Sequence, residues 1–583
     1  MILKFYIKFY AEFYFYEKMY KSHVCHQVKE WIHCRKLLSN HGRFFSPFCC
    51  KIHNQNNIIK PEKHVEIPKE DLFTFFLRRT EGYADRVAMV DCISGDQMTF
   101  RELTKRSKQV SSFFQEKGYQ RTDHVTIHVP NCINYPAVML GTQASGMVFT
   151  TANPYATENE LNTQLKYSES KVLFTNKSLL NSARKAVEST DVNYLVLMDD
   201  ASCSDSGVLC LSDILENREY RNQRNNVYID PANDIAAMLY SSGSTGVPKG
   251  VLISHRSMVA NVLQVLDDKT YKFQTDILCV LPMFHVYALQ YVMFTHLCGG
   301  YTIHTLPSFT PETFLSAIEQ YTIQKLPIVP PLALFLLNHP MVQSYDLSSL
   351  QNIMIGAAPV YENVINDFSK KFPNVILQQG FGLTEALITH IQAEDPSSHR
   401  PGAAGKVMCN TQWKISCINT GKALPAFEKG EVCLKGPTVM KGYHKDEEKT
   451  KACLSQDRWL RTGDWGYHDG EGRLFVVDRL NELIKYENVF IEPVELEDVL
   501  TSHEEIKDSC VIGVPNELCG EVPIAYVVKQ ENSTLTEADV QSFVDGIVSP
   551  HKKLRGGVKF VNSLPRSSSG KLLRHVLKHQ YMS

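Results

Sequence analysis

Residues 239–252 read Leu-Tyr-Ser-Ser-Gly-Ser-Thr-Gly-Val-Pro-Lys-Gly-Val-Leu, which gathers Ser241, Ser242, Ser244 and Thr245 around Gly243 and Gly246 and adds the Lys249 ammonium. Glycine lets backbone amides approach phosphate oxygens closely, while the hydroxyls and the lysine supply donors and positive charge, so this turn suits a polyphosphate. A Walker loop requires Gly-Lys-Ser/Thr opening a helix. Here Lys249 stands between Pro248 and Gly250, which argues against a P-loop NTPase. A flexible Gly/Ser linker has the same composition but lacks the apolar flanks. Upstream, residues 235–240 read as a buried strand, so the turn hangs from a sheet end.

Later segments add further candidates. His285 lies in the apolar turn Leu-Pro-Met-Phe-His-Val-Tyr-Ala-Leu; taken alone, such a histidine is more often a satisfied core residue. Gly356-Ala357-Ala358-Pro359 offers small residues over which a flat group can slide. In Gln-Gly380-Phe381-Gly382-Leu-Thr384-Glu385, adenine could lie on the phenylalanine and the carboxylate could hold Mg²⁺ against phosphates, although a capped turn is also consistent. Asp464, in Arg-Thr-Gly-Asp-Trp-Gly-Tyr, could accept two ribose hydroxyls or be one more turn residue. Lys571 ends the polar loop Pro-Arg-Ser-Ser-Ser-Gly-Lys and becomes chemical only if a partner site faces it.

Alternating patterns must position these groups. A helix is predicted over 67–82, a strand over 87–91, and an amphipathic helix over 99–117 capped by Thr99 with Glu102 three residues on. Strands over 124–128, 171–175 and 194–198 alternate with helical stretches such as 137–146, which predicts α/β architecture with largely parallel sheets. A hairpin is expected around Asp469-Gly470-Glu471-Gly472, then a strand over 474–478. Beyond Arg479 the style changes to a helix over 494–502 and strands over 510–514 and 524–529, placing a domain boundary at 479–481.

The 583 residues exceed one ordinary core. A formal charge of -2 gives no sign of a nucleic-acid partner, and no apolar run reaches the ~20 residues that span a bilayer. The 16 cysteines form no framework, which implies reduced thiols and an intracellular setting. Residues 1–60 stand apart: an aromatic-rich start, then a basic stretch resembling a mitochondrial transit peptide, with a leader from an upstream start codon equally open. The chain ends without a peroxisomal Ser-Lys-Leu, leaving cytoplasm or mitochondrion.

In this order, from about residue 65 to 575, the motifs resemble the adenylate-forming superfamily, in its branch of 4-coumarate-CoA ligases, luciferases and acyl-CoA synthetases. The resemblance implies a large N-terminal domain (61–478) of α/β subdomains with a small β-barrel, a hinge at Asn481, and a small mobile α+β lid (482–583), in a monomer or homodimer. It implies an ATP-dependent acid-thiol ligase that makes an acyl-AMP from an apolar acid and passes the acyl group to CoA, or a luciferase-like enzyme with that transfer replaced. Ser241 to Gly246 with Lys249 would hold phosphates, Thr384 and Glu385 would position Mg²⁺ and the α-phosphate, and Lys571 would bridge carboxylate and phosphate. Asp464 and Arg479 would grip ribose, and Ala357, Ala358, Gly380, Phe381 and Gly382 would enclose adenine. His285, Tyr287, Tyr291, Pro331, Gly356 and Ile388 would form the acyl pocket, and Lys485, Tyr486, Glu487 and Asn488 would meet CoA. Where the branch usually continues Lys-Gly-Phe/Tyr-Gln, this chain has Glu487-Asn488-Val489-Phe490, which reverses a charge near an anionic cofactor and puts the second step in question.

Overall fold

The computed structural model describes residues 57–199, 207–216, 227–241, 249–266, 276–358, 360, 362–393, 395–487, 489–516, 518–567 and 571–582. The first fifty-six residues of the expected extension, and residues 242–248, therefore lie outside the described residues. Ile59 already pairs with Trp413 through both backbone hydrogen bonds, 2.8 and 3.0 Å, so the fold recruits residues inside the expected 1–60 segment.

Two of the three sheets carry the predicted alternation. In the first, His124–Ile127, Val148–Thr151, Ser170–Thr175, Tyr194–Leu197 and Ile235–Ser241 run parallel. Helix Phe100–Glu116 starts at the predicted Thr99/Glu102 capping box and buries Leu103, Val110, Phe113 and Phe114. Burial of such side chains contributes about 2 kcal/mol each. Lys249–Ser254 then returns antiparallel, pairing Lys249 with Ser241. The next helix, His255–Leu266, begins after that strand, so no helix N-terminus meets Lys249 as a Walker loop requires.

The second sheet places Val87–Asp91, Ile303–Thr305, Ile277–Cys279, Lys325–Ile328, Asn352–Ile355 and Ile376–Leu383 side by side in parallel. It continues through Leu387–Ile391, Gly405–Val407, Arg473–Arg479, Leu460–His468, Gly430–Lys435 and Gln412–Ser416, all antiparallel. This antiparallel run occupies the place of the implied barrel and grows directly from the parallel sheet. The third sheet is built from Ile484–Tyr486, Val489–Ile491, Ile506–Asn516, Gly520–Lys529 and Val558–Phe560. Helices Pro493–Thr501 and Glu537–Ile547 pack on one of its apolar clusters, and Arg574–Met582 joins the other through Leu577.

Several boundaries differ from the sequence pattern for local reasons. The 67–82 helix shortens to Leu72–Thr80 because the Asp71 carboxylate accepts the Phe73 and Thr74 amides, both at 3.0 Å, and starts it there. The apolar run after Leu326 divides into strand Lys325–Ile328 and helix Pro330–Asn338, with proline at the first helical position. Among the described residues no helix is long and apolar enough to cross a membrane.

Gly405 joins the antiparallel strands at φ 98°, and a Cβ there would lie 2.2 Å from the Ile391 carbonyl carbon. Backbone cannot yield as a side chain can, so Gly405→Ala should destabilise by about 3 kcal/mol, read as a lowered denaturation midpoint. An unchanged midpoint would show that the junction relaxes.

Candidate active site

The hairpin expected around Asp469 forms because its carboxylate accepts the Glu471 and Arg473 amides at 3.0 and 2.8 Å. Its register sets Asp464 opposite Arg479. Arg479 Nε lies 3.0 Å from Asp464 Oδ1, and its Nη1 donates to the Thr462 carbonyl at 3.2 Å. The Asp464 amide donates to Thr462 Oγ1 at 3.0 Å. Asp464 is only 4% exposed, and its Oδ2 is buried with no hydrogen-bond partner among the described residues. Burial raises this carboxyl's pKa against the pull of Arg479 and Lys571. A buried acceptor left unsatisfied costs about 1–3 kcal/mol, which a ligand hydroxyl would recover.

A cavity of about 430 Å³ opens over this pair. Its walls follow the carboxyl ends of three adjacent parallel strands: Pro330 and Pro331 after Lys325–Ile328, Ala357 and Ala358 after Asn352–Ile355, and Gly380, Phe381 and Gly382 within Ile376–Leu383. Open α/β sheets bind ligands at such ends. Gly382 is obligatory, since a Cβ would stand 2.6 Å from the Leu387 carbonyl oxygen. Phe381 presents its ring beside the glycines, braced edge-on by buried His390 at 5.9 Å, with His390 against Trp413 at 4.8 Å.

Thr384 and Glu385 occupy the turn between Ile376–Leu383 and Leu387–Ile391. Tyr443, a residue that the sequence pattern did not single out, donates its hydroxyl to Glu385 Oε1 at 2.9 Å. Lys249 sits over the Tyr443 ring, 5.3 Å from its centroid. The closing end of the serine-rich turn is thereby tied to Glu385, while Ser242, Gly243, Ser244, Thr245 and Gly246 lie outside the described residues.

Lys571 lines the same cavity from the C-terminal segment. Burial and the Arg479 guanidinium lower its ammonium pKa, opposed by Asp464 and Glu385. Burial pushes His285 down to about 4, with Lys571 adding to the shift. Lys571 therefore stands within electrostatic reach of His285, Asp464, Arg479 and Glu385 together.

Of the expected acyl-pocket residues, Pro331 lines this cavity, whereas His285, Tyr287, Tyr291, Gly356 and Ile388 do not. Tyr287 closes over Gly356, whose Cβ would lie 3.2 Å from the ring, and donates to the Met354 carbonyl at 2.9 Å. Tyr291 is buried behind Tyr287, 5.8 Å between rings, and Ile388 is buried as the strand partner of Gly382. Lys485 and Glu487 are exposed and Tyr486 half-buried on a hairpin that does not reach the cavity; Asn488 is outside the described residues. Asn481 is exposed in the turn after Arg479.

The AMP-binding enzyme family matches residues 76–444, and the AMP-binding enzyme C-terminal domain matches 495–571. The chain belongs to this family. Peroxisomal OPC-8:0-CoA ligase 1 of Arabidopsis thaliana is 37% identical over 517 residues, 87% of this chain and 92% of that enzyme. 4-coumarate–CoA ligase 1 of Petroselinum crispum is 34% identical over 528 residues, 89% of this chain and 96% of that enzyme. Among solved structures, ATP-bound MatB from Rhodopseudomonas palustris superposes with a TM-score of 0.79 at 25% identity, covering 88% of this chain and 99% of that one. The chain thus sits in the CoA-ligase branch of the adenylate-forming superfamily, with the large and small domains that branch shares.

Because His285 stays neutral well below pH 6, it should add no titration to turnover between pH 5.5 and 8. His285→Ala should lower ATP-dependent turnover about 10- to 100-fold while keeping the wild-type pH profile in that window. A limb near pH 6.5 in the wild type that vanishes in the variant would contradict the neutral assignment.

Proposed function

We propose that the protein is an ATP-dependent acid-thiol ligase that activates an apolar carboxylic acid, aryl or of medium length, and transfers the acyl group to CoA. The observation that carries this reading is that Lys571 meets the Asp464–Arg479 pair on one cavity while lying within electrostatic reach of His285 and Glu385. A carboxylate is a poor electrophile. In the first step its oxygen bonds to the α-phosphorus of ATP while the bond to the pyrophosphate oxygen breaks, leaving an acyl-AMP. Negative charge builds around that phosphorus, so fixed cations and donors speed the step.

Asp464 Oδ2 accepts a ribose hydroxyl, with Arg479 fixing the carboxylate, and adenine lies between Phe381 and the backbone of Ala357 and Ala358. Neutral His285 donates to the acid while Lys571 bridges its carboxylate and the α-phosphate. Ser241, Lys249 and the intervening hydroxyls hold the outer phosphates. Tyr443 donates to Oε1 of Glu385, and the Glu385 carboxylate would hold a Mg²⁺ ion, which would supply charge against the phosphate oxygens. That donor set suits magnesium, which takes one or two carboxylates with water and substrate oxygens; no group of three metal-ligating side chains exists among the described residues.

In the second step the CoA sulfur attacks the acyl carbonyl and AMP departs. The exposed hairpin of Lys485 lies away from the cavity, so residues 482–583 turn about 479–481 to present it, withdrawing Lys571. Glu487 heads that hairpin at φ 51°, a conformation that costs a non-glycine residue about 1 kcal/mol.

A panel of carboxylic acids tested for acid-dependent ATP–pyrophosphate exchange should yield a responder; no exchange with any acid would refute the reading. Lys571→Ala should cut acyl-adenylate formation at least about 100-fold yet spare thioester formation from synthetic acyl-AMP. Equal loss in both assays would contradict its assignment to the first step. Glu487→Lys with Asn488→Gly should accelerate the thioester step several-fold at unchanged adenylation, and an unchanged rate would mean that the hairpin tip does not limit transfer.

A further inference from the structure

The cavity over the Asp464–Arg479 pair is also lined by a buried charge cluster, Asp478, Glu497 and Arg574, to which the sequence pattern gave no role. Arg574 Nη2 donates to both carboxylate oxygens of Glu497, at 2.8 and 2.7 Å. Its Nη1 is 3.6 Å from Asp478 Oδ1. The three side chains are 11%, 1% and 3% exposed. Glu497 belongs to the helix Pro493–Thr501 and also accepts the Val511 amide at 2.8 Å, so it is anchored to the C-terminal sheet. Asp478 belongs to the hairpin strand Arg473–Arg479, and its Oδ1 accepts the Arg479 amide at 2.7 Å. Arg574 therefore links the C-terminal segment to the residue next to the ribose-side guanidinium.

The segment that carries Lys571 is closed by its own backbone just before Arg574. The Ser567 amide donates to the Lys571 carbonyl at 2.8 Å, the Lys571 amide donates to Ser567 Oγ at 3.1 Å, and the Leu573 amide donates to the Pro565 carbonyl at 2.9 Å. Immediately after this closed loop, the first residue of Arg574–Met582 is clamped by two carboxylates. Holding a lysine side chain in one rotamer costs up to about 2 kcal/mol, and a loop of Ser and Gly has little apolar surface with which to offset it. A charge-assisted contact of one guanidinium nitrogen with both Glu497 oxygens supplies energy and anchors the helix start.

We propose that Arg574 is a positioning residue for adenylation: clamped by Glu497 and linked to Asp478, it sets the loop that delivers the Lys571 ammonium and docks that loop beside Arg479. This rests on the reading of Lys571 as the residue of the first step. The pKa of Asp478 fits a carboxylate that relies on this partner, since burial raises it to about 7 while Arg574 pulls it down.

The two half-reactions separate positioning from bulk stability. Arg574→Gln should slow acyl-adenylate formation about 30-fold or more at nearly constant KM for ATP, with thioester formation from synthetic acyl-AMP kept within about twofold. Arg574→Lys should recover part of the loss. In a Lys571→Ala background, adding Arg574→Gln should cost less than about twofold, because a residue acting through another is not additive with it. Asp478→Asn, which keeps the Glu497 clamp and nearly the same shape, should show the same selective loss in smaller measure and covers the case in which Arg574→Gln does not fold. Equal slowing of both half-reactions, an unaffected first step, or full additivity with Lys571→Ala would overturn the assignment. A wild-type protein without acid-dependent exchange would instead refute the proposed function and leave the clamp's geometry intact.

Discussion

A buried carboxylate held across one hairpin by a half-exposed guanidinium, Asp464 and Arg479, is the constraint on which the site depends. Burying the carboxylate carries a desolvation cost that a half-exposed guanidinium offsets only in part. Here the pair leaves Asp464 Oδ2 without a partner among the described residues, which adds to the cost. The arrangement is therefore poor as a staple and well suited as a receptor: the guanidinium opposes the burial that raises the carboxyl's pKa and aims it, and a ligand supplies the missing donor.

The remaining architecture brings other groups to that pair. Parallel strands end together, so the residues at their ends form a common rim, and the wall of Pro331, Ala357, Ala358 and Phe381 arises from three such ends. The antiparallel extension brings the hairpin to the same rim. The C-terminal sheet contributes through Lys571 and is held by Glu492, whose carboxylate meets Lys429 at 2.7 Å and the Trp465 indole at 3.3 Å, and by Phe490 packed 5.9 Å from the Trp465 ring. Lys429 and Phe490 are partly exposed in these contacts, whereas Glu492 and Trp465 are buried.

Much of this was legible in the sequence because the signals are local. The Thr99/Glu102 box, the strand over 87–91, the Asp469 hairpin and the small-residue segments each rest on neighbours in the chain. Pairing is harder. Asp464 and Arg479 could be connected only once the hairpin register was known, and Tyr443 reaches Glu385 across 58 positions with nothing nearby to announce it. Arg574 reads as one more basic residue at a helix start, since its carboxylates come 77 and 96 positions earlier. The acyl pocket was the least legible part: Tyr287, Tyr291 and Ile388 are apolar or aromatic like any core residue, and only packing distinguishes a wall from its backing.

The most direct test is a crystal structure with a non-hydrolysable acyl-adenylate analogue bound. The account predicts a ribose hydroxyl within 2.5–3.0 Å of Asp464 Oδ2, adenine against Phe381 and Ala358, and the Lys571 ammonium on the phosphate mimic. An analogue seated elsewhere, with Asp464 Oδ2 still lacking a donor, would contradict it.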